Sequence, residues 1–143
     1  MKKTFIAKGL DLYHGTNSET IFEFPEMPAW FSSSFSVAQY FANFHVQEGK
    51  PRIHLFRVEK KIPKLLLIDS KVEWDDLMEK MVEELGEHSE DPRDLGRFIC
   101  RKGYNGWIIP NNYPDGDDIM LCEPENWLQW RGEESVPKKK RSR

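Results

Sequence analysis

The sequence predicts an α+β fold on three observations. Its apolar patterns run strand, strand, helix, strands, two helices, strands, with the strands clustered at both ends of the chain. Turn formers punctuate the β-rich runs at short intervals. Hydrophobic residues make up 38% and aromatics 13% of the chain, five Trp among them, and that is more apolar surface than a disordered chain carries. At 143 residues a single domain is the economical solution, spanning 1–132, with 133–143 as a basic disordered tail.

The first extended segment, "LDLYH" at 10–14, is broken by "GTNSE", and "PEMP" at 25–28 breaks the next. In "AWFSSSFSVAQYFANF" the first half reads as a short strand. From Ser36 onward Val37, Tyr40, Phe41 and Phe44 recur at helical spacing, with Ser36 in the N-cap position. "IHLFRVE" (53–59) and "KLLLID" (64–69) are β-rich runs separated by a turn at "KKIP". Leu77, Met78, Met81, Val82 and Leu85 form the apolar stripe of a surface helix whose other face is acidic. Asp91 and Pro92 are an N-cap and first-turn pair for the next helix, Leu95, Phe98 and Ile99 are its stripe, and Gly103 is its stop. "YNGWII" and "DIMLCEP" are the last two strands, on either side of the acidic loop "YPDGDD".

Charge and cysteine usage bound the function. The net charge is −3, and with the five basic residues of "PKKKRSR" set aside the rest of the chain nets −8. Such a field repels a polyanion at long range. Cys100 and Cys122 lie without other Cys or His at zinc-ligand spacing, so neither a disulfide framework nor a metal site is suggested, and a reducing compartment fits. No run is long and apolar enough to span a bilayer and the N-terminus lacks a signal-peptide core, so the expectation is an intracellular, cytoplasmic monomer with no membrane partner. "PKKKRSR" also has the look of a nuclear-import signal, beside the plainer reading of a solvated terminus.

Three groups could carry chemistry. If the strand ends at His14, Gly15 lets a ligand approach the backbone, the imidazole supplies a directional hydrogen bond and Thr16 a hydroxyl; the alternative is a plain hairpin turn. In "FSSSF" hydroxyls can satisfy one another while one faces a ligand. Tyr40 is either core or a stacking platform. The acids Asp115, Asp117, Asp118, Glu123 and Glu125 are a solvated loop, except that Asp118 opens an apolar strand and could be held rigidly against a pocket. No Gly-rich phosphate loop, nucleophile–His pairing or HExxH is present, which disfavours nucleophilic and metal hydrolases.

Taken in order, "LYHGT", "WFSSSFSVAQYFA", "RKGYNGWII" and an acid opening a final strand before "EPENW" resemble the ADP-ribosyltransferase superfamily over roughly residues 10–130. The similarity is to the His-Tyr-acid branch of diphtheria toxin and the poly(ADP-ribose) polymerases. The resemblance implies two small packed sheets with flanking helices around an NAD⁺ cleft. By the same analogy His14 bonds a ribose hydroxyl, the Gly15 backbone pairs with the nicotinamide carboxamide, Thr16, Ser32 and Ser33 support the site, and Tyr40 stacks on the nicotinamide. The catalytic acid falls on Asp118, with Glu123 as the competing placement; Asp in place of the family's usual Glu goes with mono-ADP-ribosyl transfer to a macromolecular acceptor, protein or nucleic acid. NAD⁺ is then a substrate, and no metal is implied. The alternatives are an NAD⁺ glycohydrolase, an RNA 2′-phosphotransferase using arginines such as Arg57 and Arg97, and a non-catalytic NAD-binding module docking through Trp127 and Trp130.

Overall fold

The computed structural model describes residues 2–16, 28–42, 51–86, 91–113 and 116–135. In chain order the elements are β1 (Lys2–Ile6), β2 (Asp11–Thr16), β3 (Ala29–Ser32), α1 (Phe35–Ala42), β4 (Arg52–Val58), β5 (Ile62–Leu67), α2 (Lys71–Leu85), α3 (Pro92–Arg101), β6 (Gly106–Tyr113), β7 (Gly116–Leu121), a 3₁₀ turn (Pro124–Asn126) and β8 (Leu128–Ser135). The fold is α+β.

The described strands form one mixed sheet in the order β1-β5-β6-β7-β3-β2-β4-β8, in place of the two small sheets that the resemblance implies. Only β5–β6 is parallel, which the α2–α3 crossover between these strands makes possible. The difference from two sheets is one joint. β3 pairs with β7 from Ala29↔Leu121 to Ser32↔Asp118, whereas β3 and β2 meet only at Tyr13↔Ser32. Beyond that pair the two parts of the sheet separate, and a cleft opens where two independent sheets would have faced each other. Ile6, Ile62 and Leu65 from one part pack in one core with Leu12, Phe56, Val58 and Leu128 from the other. The sheet therefore folds over its own apolar face.

Helix ends follow the local chemistry. Ser70 Oγ accepts the Glu73 N–H at the start of α2, and Gly86, at φ 69, ends it in the left-handed conformation. Asp91 caps α3 ahead of Pro92. For α1 the cap is Ser34, not Ser36: Ser34 Oγ accepts the Val37 N–H at 3.4 Å, and Ser36 lies inside the helix. The α1 stripe is corrected too. Val37, Ala38 and Ala42 are buried, while Tyr40 is 54% and Phe41 39% exposed; Phe44 lies outside the described residues. The cause is close approach, because a Cβ on Gly15 would stand 1.9 Å from the Ala38 carbonyl oxygen, so only small residues fit between α1 and β2.

Two strands have no counterpart in the sequence reading. β1 pairs antiparallel with β5, and β8 pairs with β4 as far as Ser135, three residues past the domain end read from composition. Trp127 and Trp130, read as exposed docking aromatics, are half-buried against the core. The unpaired reading of the cysteines is also overturned, since Cys100 on α3 and Cys122 just after β7 form a disulfide. Spacing could not reveal it, because the pairing is made where the last turn of α3 meets the residue that follows β7. The inference of a reducing compartment loses its basis with it. Among the described residues no helix is long and apolar enough to cross a membrane. The tail from 136 onward lies outside the described residues.

Candidate active site

A cavity of about 970 Å³ sits where β2 and β3 part, with α1 on one side and the first turns of α2 and α3 on the other. That is the upper end of the range for small-molecule sites. Its polar lining includes His14, Thr16, Ser32, Asn112 and Asp118, and Gly15 contributes bare backbone. Trp30, Trp74 and Trp107 supply an apolar wall; their rings meet edge to face, with centroids 5.9 Å apart for Trp30–Trp107 and 5.4 Å for Trp74–Trp107. Lys71 and Arg93 border the end under α2 and α3.

Strand register explains how the acid reaches this cavity. Asp118 stands opposite Ser32 on one side and Ile109 on the other, so side-chain alternation puts Asp118, Ser32 and Tyr13 on one face. Asp118 is 8% exposed. Trp107 Nε1–H donates to its Oδ1 at 3.4 Å and Asn112 Nδ2 to its Oδ2 at 3.3 Å. Burial pushes its pKa up to about 6, opposed by the Trp107 bond. The result is a fixed carboxylate, mostly ionised at neutral pH and close to its proton equilibrium.

His14 is held differently. Its Nδ1 lies 2.6 Å from the Trp30 carbonyl, across the gap left by the short β2–β3 ladder. A carbonyl only accepts, so Nδ1 carries the proton and, in the neutral ring, Nε2 is left as an acceptor. Burial keeps the imidazole below the usual histidine range; the Trp30 bond partly restores it and the neighbouring His54 lowers it further. The ring packs 5.7 Å from Phe31 and 6.5 Å from His54.

The structure thus brings His14, Gly15, Thr16, Ser32 and Asp118 to one cavity. Tyr40 and Ser33 are not in its wall; the α1 aromatic in the wall is Phe41, against which Tyr40 packs at 5.5 Å. Glu123 is exposed, accepts from Asn126 Nδ2 at 2.6 Å and borders a separate 430 Å³ hollow beside the disulfide. Asp117 accepts the Asn111 N–H at 2.9 Å and so fastens the β6–β7 hairpin. Asp115 lies outside the described residues. Trp107, Asn112 and the tryptophan wall had no separate signal in the sequence. Trp107 sits inside the block "GYNGWII", but only register shows that its indole meets Asp118.

In fold, the chain is similar to a chain in the crystal structure of the M. tuberculosis MbcT–MbcA toxin–antitoxin complex. The TM-score is 0.57, over 92% of this chain and 86% of that one, at 13% identity. At that identity the likeness is one of fold. No family model matches the sequence, and comparison with curated proteins finds no relative.

Proposed function

We propose that this protein is an NAD⁺-consuming enzyme that breaks the nicotinamide–ribose bond and transfers ADP-ribose to a macromolecular acceptor. The observation that carries the reading is Asp118, a buried carboxylate held by Trp107 and Asn112 in a cavity that it shares with His14, Gly15 and Ser32. Departure of nicotinamide leaves an oxocarbenium-like ribose, and a fixed negative charge in a water-poor cavity stabilises that cation more than it stabilises bound NAD⁺. With a pKa of about 6 the same carboxylate is matched to accepting a proton from the attacking hydroxyl or amine near neutral pH. The neutral His14 offers Nε2 to a ribose hydroxyl, the Gly15 backbone offers its amide groups to the carboxamide, and Phe41 offers a ring face to the nicotinamide.

The acceptor decides between transfer and hydrolysis, since water captures the same cation. Phosphotransfer to NAD⁺ from RNA has less support: Arg57 pairs with Asp11 and Arg97 with Asp94, each at 3.2 Å, and neither borders the cavity. The fold likeness to a chain of a toxin–antitoxin complex extends the proposal to a toxin-like role, in which NAD⁺ consumption harms the cell and a protein partner restrains it.

The test is release of nicotinamide by the purified protein, together with transfer of label from tagged NAD⁺ into a lysate treated with protease or nuclease. Label removed by protease or by nuclease identifies the acceptor class. Release without label leaves the glycohydrolase. Asp118→Asn lowers release by about 10²–10³ on this reading while Glu123→Gln leaves it nearly unchanged; wild-type protein that neither binds nor cleaves NAD⁺ refutes it.

A further inference from the structure

His54 is a buried titratable group that the proposed chemistry leaves unused. It stands opposite His14 in the β2–β4 ladder and opposite Glu133 in the β4–β8 ladder, one strand in from the edge of the sheet, and is 4% exposed. Its ring stacks on His14, with centroids 6.5 Å apart and planes at 27°. Two groups compete for its Nδ1. The Trp130 indole Nε1–H donates to it at 3.2 Å, and a Glu133 carboxylate oxygen lies 3.9 Å away, itself 3.4 Å from the Arg52 guanidinium.

These partners exclude each other by proton count. An Nδ1 that accepts from an indole has no proton, so with Trp130 engaged the ring is neutral and carries its hydrogen on Nε2. Once protonated, Nδ1 becomes a donor, turns the indole N–H away, and finds its acceptor in Glu133. Among the described residues His14 has no carboxylate within salt-bridge distance, and its Nδ1 proton is already committed to the Trp30 carbonyl. Of the two stacked rings His54 therefore takes the first proton, and its charge then opposes a second one on His14.

We propose that His54 is a positioning residue for His14: it backs the His14 ring and, by exchanging Trp130 for Glu133 when it is protonated, keeps His14 neutral and able to accept a hydrogen bond as the pH falls. The groups facing His54 are His14 on β2, Arg52 on its own strand β4, and Trp130 and Glu133 on β8. Burial and Arg52 hold its proton affinity down and Glu133 raises it. The consequence for substrate rests on the NAD⁺ reading above. His14 with its Nε2 free to accept binds a ribose hydroxyl; doubly protonated His14 does not, and it repels the cationic nicotinamide.

The test titrates the histidine ring resonances and the Trp130 indole N–H resonance of the intact protein by NMR, between about pH 4.5 and 8. In wild type the indole resonance follows the His54 midpoint. In His54→Asn, whose side-chain oxygen can still accept from Trp130 but cannot charge, the His14 midpoint rises by about one pH unit, a roughly tenfold gain in proton affinity for unit charges at this separation. Glu133→Gln lowers the His54 midpoint and serves as the second arm if His54→Asn folds poorly. Calorimetry then reads NAD⁺ affinity, whose acid loss moves to higher pH in His54→Asn. A His14 midpoint that His54→Asn leaves in place, or an indole resonance that ignores the titration of His54, overturns the proposal. The ring titrations need no NAD⁺, so a protein that shows the coupling but never binds NAD⁺ refutes the substrate reading and leaves the proton exchange standing.

Discussion

Replacing Asp118 with Asn should make this protein more stable and less active, and the size of the gain can be worked from the site. In the folded chain Asp118 has a pKa of about 6, against 3.8 for an unperturbed Asp carboxyl, because burial disfavours its charge. A folded-state pKa raised above the unfolded one means that the native state binds the proton more readily. The charged form therefore costs stability above pH 6, and the cost disappears as pH falls towards 4. A hundredfold difference in proton affinity between the two states corresponds to about 3 kcal/mol at neutral pH. Asn removes the charge and keeps an oxygen for the Trp107 indole; the Asn112 amide must turn to present its oxygen to the new NH₂, so a net gain of about 1–3 kcal/mol is expected. For a chain of this length that is a rise in Tm of several degrees. Denaturant unfolding of both proteins at several pH values measures it. The difference between them should be largest above pH 7 and close to zero near pH 4, while nicotinamide release at neutral pH falls by about 10²–10³. A variant that is destabilised equally at every pH would refute the account, since Asp118 would then contribute packing and not a buried charge.

Other perturbations read other parts of the structure. Gly15→Ala places a methyl 1.9 Å from the Ala38 carbonyl oxygen, so α1 must lift from β2; a loss of roughly 1–3 kcal/mol or more in thermal or urea unfolding is expected, with NAD⁺ affinity lost as well. Phe41→Ala removes a cavity-wall ring, and calorimetry should show NAD⁺ affinity about tenfold weaker with little change in Tm, whereas Tyr40→Ala, outside the wall, should leave affinity within about twofold. If Tyr40→Ala is the variant that loses NAD⁺, the ring that stacks on nicotinamide is Tyr40. Reducing Cys100–Cys122, or replacing both with Ala, frees a 22-residue separation and should cost about 3 kcal/mol in unfolding experiments. An unchanged midpoint under reductant would mean that α3 is held to the end of β7 by packing alone.

Where local chemistry decides, the sequence was a sufficient guide. Leu77 and Met81 of the α2 stripe and Leu95, Phe98 and Ile99 of the α3 stripe are buried, while Met78 and Val82 are half-buried and Leu85, in the last turn of α2, is exposed; Asp91 caps the helix that Pro92 begins, and the β-rich runs at 53–59 and 64–69 are strands β4 and β5 displaced by no more than two residues at either end. A helix period or a cap is written in residues three or four apart, so composition and spacing contain it. The same holds for the blocks around His14, Ser32 and Asp118, each recognisable as a short stretch.

Longer-range choices belong to the tertiary structure. One register pair, Tyr13↔Ser32, decides that two expected sheets are a single sheet with a cleft at its joint. The depth to which α1 settles on Gly15 decides that the alanines face inward and that Phe41, not Tyr40, meets the cavity. The last turn of α3, set beside the end of β7, brings together two cysteines that spacing leaves apart. Asp118 carried an acid's chemistry in the sequence, but its pKa of about 6 comes from burial, which outweighs the opposing Trp107 hydrogen bond, in surroundings brought there by strand pairing. A side chain's identity is local; its dielectric surroundings are made by segments distant in the chain, and register and burial set them only once the whole sheet has closed.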